Sequence, residues 1–141
     1  MGYFRYTVEV FALPACVWEL FVDVERWPEW APTVTRVQRM EESPLAIGSR
    51  IKIWQPKLMP AVWQVIALDE IAGVFTWSTR KPGIQVTATH RVQPTPNGSS
   101  HVTLSLDYTG FLGPLIAWLL KDLNWDYLTS EAAGLKRRCE P

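Results

Sequence analysis

Apolar and polar residues alternate along most of this chain, in short segments separated by turn residues. The first segment, residues 3–11, places Phe4, Tyr6 and Val8 on one face and Arg5, Thr7 and Glu9 on the other, as in a half-buried strand. The same pattern predicts six further strands, and short turns between them indicate an antiparallel sheet. These strands cover residues 34–42, 50–55, 61–68, 73–80, 84–92 and 101–109. The alternation does not assign the inward face of the strand 61–68.

Apolar residues in two other segments have helical spacing instead. The first helix begins near Pro14, and Pro28 and Pro32 allow only a second, very short helix after it. Near residues 113–138, apolar residues recur at three- and four-residue steps and predict one long helix. Two adjacent apolar stripes on that helix require a broad surface to pack on. Since helices and strands are segregated along the chain, the fold class is α+β: a curved seven-stranded antiparallel sheet wrapped around a long C-terminal helix, with two short helices after the first strand.

The composition is that of a globular domain and gives no indication of a nucleic-acid or membrane partner. A length of 141 residues with 48% apolar residues predicts a single domain over residues 1–141. Fourteen basic residues balance fourteen acidic ones, so no nucleic-acid partner is expected. The longest apolar run, residues 115–120, is far shorter than the ~20 residues that span a bilayer, so we expect no stable membrane insertion. Cys16 and Cys139 are too few for a disulfide framework and lack metal-ligand spacing, which favours a cytoplasmic location.

The strand alternation and the helix direct one set of side chains into the space between sheet and helix. A packed core and a ligand cavity are both compatible with this set. Several side chains in this set end in polar groups. This favours a cavity, because ligand sites are mostly apolar with a few convergent polar groups. The candidate ligand-binding residues are Ile53, Gln55, Trp77, Thr79, Ala88, His90, Leu104, Leu106, Tyr108, Leu119, Leu123 and Tyr127.

Eight tryptophans are an unusual number for this length. Three of them are expected to wedge the short helices against the sheet: Trp18, Trp27 and Trp30. Trp54 shares a strand face with charged residues, so we expect it to point outward, as a contact in a homodimer or at the rim of the pocket. Trp118 and Trp125 are expected in the core, and the alternative is an exposed apolar patch for a membrane surface or a partner.

Several local segments resemble the START-like (SRPBCC) superfamily and, within it, the bacterial polyketide cyclase/dehydrase-like branch. They are VWELFVDVERWPEW at 17–30, IGSRIKIWQP at 47–56, WQVIALDEIAGVFTW at 63–77 and THRVQPTPNGSSHVTLSL at 89–106, together with the terminal helix. The resemblance covers nearly the whole chain and implies the helix-grip fold with a cavity. Members of this superfamily include cyclases, lipid carriers and plant proteins that bind apolar molecules.

Three functional hypotheses are compatible with these features. The first is binding of a small hydrophobic or aromatic, polyketide- or lipid-like ligand between sheet and helix. The alternative is a cyclase or dehydratase in which His90 acts as general acid or base and Tyr108 or Tyr127 orients a carbonyl. A second alternative is a lipid-handling or assembly module that uses the aromatic stripe of the terminal helix. No cofactor or metal is expected, since His90 and His101 are predicted on opposite faces of neighbouring strands. Burial should lower the pKa of His90 below ~6.5.

Overall fold

The computed structural model describes residues 2–141 and has the predicted α+β helix-grip architecture. Within these residues, seven strands form one antiparallel sheet in the spatial order β1-β7-β6-β5-β4-β3-β2. The first strand therefore pairs with the last, and β2 forms the opposite edge. The strands are β1 Tyr3–Val10, β2 Arg36–Arg39, β3 Arg50–Trp54, β4 Ala61–Asp69, β5 Val74–Lys81, β6 Ile84–Pro94 and β7 Ser100–Thr109.

The helices differ from the prediction mainly at the C-terminus. Helix α1, Pro14–Val22, begins at its proline and is succeeded by a 3₁₀ helix, Val24–Glu29. The predicted long C-terminal helix is present as α3 Lys121–Cys139, and the first residues of the predicted span form a separate short helix, α2 Gly113–Leu119. They are separated at Leu120, where φ is −103° and ψ is 13°. In the described part of the chain, no helix combines the length and apolar character needed to cross a bilayer.

Two strands differ from their predicted form. The strand expected over residues 34–42 is reduced to the four residues of β2. Strand β4 contains a bulge between Val65 and Ala67. Before the bulge Trp63 and Val65 are buried, and after it Leu68 lies opposite the buried Phe75. A bulge adds one residue to a strand and so reverses the faces of the residues beyond it, which explains why simple alternation could not assign this strand.

The core lies between one face of the sheet and the layer made by α1, the 3₁₀ helix and α3. The prediction that three tryptophans wedge the short helices against the sheet is confirmed, because all three are buried in this core: Trp18, Trp27 and Trp30. Trp54 points to the other side, where the Arg36 guanidinium lies 4.4 Å and the Lys52 ammonium 5.1 Å from its ring centroid. Its predicted outward orientation is thus also confirmed.

Trp118 and Trp125 do not belong to the core, so their expected burial is wrong. Trp118 is 63% exposed, and Trp125 is partly covered through an edge-to-face contact with Phe4 at 5.6 Å. The break at Leu120 separates Trp118 from the apolar stripe of α3. Trp125 lies in α3 itself, where it packs against Phe4 of the edge strand β1.

Cys16 and Cys139 form a disulfide bond that the sequence pattern did not predict. Their Cα atoms lie 6.0 Å apart although 123 residues separate them in sequence. This distance is within the usual range for bridged cysteines. The bond joins the first turn of α1 to the last residue of α3.

Candidate ligand cavity

A cavity of about 70 Å³ lies between the sheet and α3. Its wall contains nine of the twelve predicted ligand-binding residues, because the inner faces of β3, β5, β6 and β7 all turn toward α3. They are Ile53, Gln55, Trp77, Ala88, His90, Leu104, Leu106, Tyr108 and Tyr127. The volume is several times the ~10–15 Å³ needed for one water.

Three predicted residues lie outside the cavity wall. Leu119 is the last residue of α2 and is 59% exposed, and Leu123 is partly buried just beyond the break. The prediction for Leu119 assumed one continuous helical stripe, which ends at Leu120. Leu123 belongs to α3 itself, so the break does not account for its position. Thr79 is partly buried and pairs with Val86 near the β5–β6 turn, beyond the end of the cavity.

Other lining residues were missed by the sequence analysis. Asn124, Leu128 and Glu131 line the cavity from α3, at −3, +1 and +4 from Tyr127. Helical spacing alone connects Asn124 and Glu131 with Tyr127, since residues three and four apart share a face. Both residues are polar, so apolar periodicity does not include them. The remaining members come from loops and neighbouring elements: Trp27, Val34, Leu58, Trp63, Thr89 and Ser105.

His90 lies in an aromatic cluster at one end of the cavity. Its ring centroid is 5.3 Å from those of Trp27 and Phe75 and 5.8 Å from that of Trp77. Nδ1 lies 3.0 Å from the Phe75 carbonyl oxygen, which can only accept, so Nδ1 carries the proton and Nε2 does not. Burial lowers the pKa of His90 to about 4, which is the predicted direction. The hydrogen bond with Phe75 has a smaller effect that raises this pKa.

Tyr108 and Asn124 form a polar pair in the wall of the cavity. The Tyr108 hydroxyl donates to Asn124 Oδ1 at 2.9 Å. This bond fixes the amide, and its Nδ2 group is buried with no acceptor among residues 2–141. Asn124 is only 3% exposed, so bulk water does not solvate this donor. A buried amide donor without a partner is costly and ready to bind an acceptor.

Glu131 adds a carboxyl group to the same wall. Its Oε1 accepts a weak hydrogen bond from Thr33 Oγ1 at 3.4 Å, and no cation pairs with it among the described residues. The residue as a whole keeps some exposed surface, but its carboxyl group lacks a compensating charge. Burial therefore dominates and raises the pKa of Glu131 to about 8.

The loop between β3 and β4 closes one side of the cavity. It contributes Gln55 and Leu58 to the lining, and the Tyr127 hydroxyl of α3 donates to the Pro56 carbonyl oxygen. Burial raises the pKa values of Tyr108 and Tyr127. Near neutral pH the phenols and His90 are thus uncharged, and Glu131 is mainly protonated. The wall is suited to an uncharged, mostly apolar molecule with one or two hydrogen-bonding groups.

Fold and cavity together define a helix-grip protein of the START-like class. Over residues 1–140 the chain matches the family described as "Polyketide cyclase / dehydrase and lipid transport". The chain belongs to this family. A search of curated protein sequences finds no significant match.

Solved structures support the same fold assignment. The di-domain ARO/CYC BexL from the BE-7585A biosynthetic pathway has a TM-score of 0.75 and 21% identity, over 98% of this chain and 46% of BexL. Major latex-like protein 151 from Panax ginseng has a TM-score of 0.80 and 18% identity, with 99% and 98% of the two chains covered. A START superfamily protein from Mycobacterium smegmatis has a TM-score of 0.77 and 19% identity, with 98% and 97% covered. The chain thus spans about half the length of BexL. At these identities the likeness establishes the fold.

Proposed function

We propose that this protein binds an uncharged, largely apolar small molecule, polyketide- or lipid-like in character, in the cavity between the sheet and α3. The observation that carries the proposal is a cavity wall of aromatic and aliphatic side chains whose ionisable groups are mainly neutral near pH 7. A charged ligand would lose its hydration there without gaining a counter-ion.

The unpartnered Asn124 amide supports a ligand that has a hydrogen-bond acceptor, such as a carbonyl or ether oxygen. Tyr108 occupies Asn124 Oδ1, so Nδ2 is the group left to donate. Leaving a buried donor unpaired costs ~1–3 kcal/mol. A ligand oxygen that accepts from Nδ2 would recover that free energy, whereas a hydrocarbon of the same shape would not.

The size of the cavity implies that its wall adapts to the ligand. A volume of about 70 Å³ is less than half of the ~150 Å³ in which an engineered apolar cavity binds benzene. Leu58 and Gln55 lie on the β3–β4 loop, which α3 holds by the hydrogen bond from Tyr127 to Pro56. Movement of this loop is the route by which we expect the cavity to enlarge.

Binding is tested with an environment-sensitive apolar fluorophore and its displacement by pairs of aromatic ketones and the matching hydrocarbons. Ala88→Trp should abolish binding because Ala88 lines the cavity, and Thr87→Trp, on the opposite face of the same strand, is the matched control. Ala88→Leu serves if the tryptophan variant does not fold. Failure of the folded wild type to bind any ketone or hydrocarbon of the panel contradicts the proposal.

Asn124→Leu tests the hydrogen-bonding part separately. Wild type should prefer each ketone over its hydrocarbon by roughly 5- to 150-fold, the equivalent of one buried hydrogen bond. The leucine variant should lose this preference and keep hydrocarbon binding. Equal binding of both ligand types by wild type would remove the role of Asn124 while leaving the apolar cavity in place.

Acid–base catalysis on a polyketide-like substrate is the second candidate function. It is favoured by the position of His90, whose Nε2 is left without a proton by the Nδ1 contact with Phe75. An imidazole in that state can act as a base, and the neutral Glu131 carboxyl can supply a proton. With a polyketide-like substrate, His90→Gln should lower turnover ~10²–10⁴-fold with affinity largely kept. Unchanged turnover would exclude His90 as the base.

A further inference from the structure

Helix α2 has an apolar face that no part of the described chain covers. We define the α2 face as Phe111, Leu115, Trp118 and Leu119. These side chains are 85%, 52%, 63% and 59% exposed, respectively. They recur at steps of four, three and one residues, so they lie on one side of the helix and its preceding turn. Large apolar side chains grouped in this way usually mark an interaction site.

Cations flank this face on two sides. Lys121 Nζ lies 5.6 Å from the Trp118 ring centroid. On the other side, the β5–β6 turn packs under Phe111, since the Leu112 amide donates to the Gly83 carbonyl oxygen at 2.9 Å. Arg80 and Lys81 are the last two residues of β5, immediately before this turn.

The three cations are available to a partner. Among residues 2–141 none of them is in an ion pair, and Arg80 donates to the neutral Gln85 side chain at 3.0 Å. No acidic residue occurs between Tyr108 and Lys121, and the acidic residues next to the two ends of that segment are Asp107 and Asp122. The face is therefore apolar at its centre and predominantly cationic at its rim.

We propose that the α2 face docks this protein on an anionic membrane surface. Phenylalanine, tryptophan and leucine on one side of a short helix, with lysine and arginine beside them, suit the boundary between headgroups and acyl chains. Cations at the rim attract anionic headgroups. A second copy meeting through the same face would instead bring the cations of both copies together, which opposes association. Docking of this kind needs no spanning helix and does not depend on the cavity being a ligand site.

Vesicle flotation tests the proposal with the full chain. We expect binding to vesicles of phosphatidylcholine mixed with phosphatidylglycerol, weaker binding to phosphatidylcholine alone, and loss of the difference at high salt. Trp118→Ser and Leu119→Ser should each weaken binding at least about tenfold, because each removes a large apolar side chain from the interface. Lys81→Gln and Lys121→Gln should each weaken it about fivefold on anionic vesicles and little on neutral ones.

Ile71→Ser is the matched control. Ile71 is fully exposed in the turn after β4, where Asp69 and Glu70 precede it, so the substitution removes exposed apolar surface away from cations. It should leave vesicle binding unchanged. All five sites are exposed, and a thermal melt of each variant checks that folding is retained.

Three outcomes overturn the proposal. The first is absence of binding to the anionic vesicles by wild type. The second is binding that Trp118→Ser and Leu119→Ser do not weaken, which would place the contact elsewhere. The third is a concentration-dependent dimer in analytical ultracentrifugation that Trp118→Ser abolishes, which would assign the face to a second copy of the chain.

Discussion

At the scale of single residues, Gly134 sets how closely α3 approaches the short helices. A Cβ atom at this position would lie 1.9 Å from the Trp30 carbonyl oxygen. Trp30 in turn packs on Trp27, with ring centroids 4.8 Å apart, and Trp27 lines the cavity. The absence of a side chain at Gly134 thus lets α3 lie against the aromatic cluster that shapes the cavity wall.

Gly134→Ala should destabilise the fold, although glycine to alanine inside a helix is ordinarily favourable by ~0.5–1 kcal/mol. The added methyl group forces α3 away from Trp30, and such overpacking costs ~1–3 kcal/mol. Urea denaturation measures the change. At the exposed neighbour Ala133 the reverse substitution, Ala133→Gly, should cost about 1 kcal/mol by helix propensity alone. A gain in stability for Gly134→Ala would refute the close contact.

Glu131 and His90 should give the protein opposite pH dependences. The pKa of Glu131 rises from 4.5 to about 8 on folding, so its stabilisation is complete below pH 4.5 and lost as pH rises toward 8. The pKa of His90 falls from 6.5 to about 4, so its stabilisation is present above pH 6.5 and lost as pH falls toward 4. Between pH 4.5 and 6.5 the two effects offset each other.

Glu131→Gln should therefore remove the loss of stability on the alkaline side. The difference in unfolding free energy between Glu131→Gln and wild type should increase by up to about 1.4 kcal/mol for each pH unit between pH 5 and 8. His90→Gln should remove the offset between pH 4.5 and 6.5, so that its unfolding free energy falls as pH rises through this range, and it should leave the slope above pH 6.5 unchanged. Urea denaturation across this pH series measures both slopes, and parallel curves for wild type and Glu131→Gln would show that the carboxyl is not buried.

At the scale of elements, the C-terminal end of α3 is fastened to the region where β1 passes into α1. The Glu140 carboxylate accepts from the Phe11 amide at 2.9 Å and pairs with Lys136 at 2.7 Å. Lys136 Nζ also donates to the Glu9 carbonyl oxygen at 2.9 Å, and the Cys16–Cys139 bond closes the same corner. Cytoplasmic location stays a prediction, and this bond weighs against it because cytoplasmic thiols are usually kept reduced.

Cys139→Ser should lower the unfolding free energy by roughly 2–5 kcal/mol, since the bond closes a long loop and restricts the unfolded chain. Wild type treated with a reductant should lose a similar amount, and reductant should have no further effect on the variant. Chemical denaturation with and without reductant makes the comparison. Two thiols reacting freely in the native, unreduced protein would contradict the bond.

At the scale of the whole molecule, the cavity exists because the sheet and α3 face each other without filling the space between them. Ligand binding should then stabilise the folded state as a unit. At a free concentration about a hundred times Kd, the expected gain is about 2.7 kcal/mol. Differential scanning calorimetry should show a higher Tm for wild type and Thr87→Trp but no shift for Ala88→Trp. An equal shift in Ala88→Trp would place the ligand outside the cavity.

Much of the fold and part of the cavity wall could be predicted from local pattern. The face of a strand to which a side chain points is a property of the alternating backbone itself. Ile53, Trp77, Ala88, His90 and Leu104 could thus be assigned to the interior by position alone, and all five line the cavity. The strand order β1-β7-β6 was not predicted, because it depends on which distant segments pair.

Features that depend on contacts between segments distant in sequence could be determined only from the tertiary structure. The bulge in β4 reverses the face of the strand, and the break at Leu120 turns Trp118 and Leu119 toward solvent. Cys16 and Cys139 meet because α1 and the end of α3 pack at one corner. The neutral state of Glu131 likewise arises from burial without a cation, a property of its surroundings. Local spacing predicts the face of an element to which a side chain points. The neighbours, charge state and bonds of that side chain depend on how the elements pack.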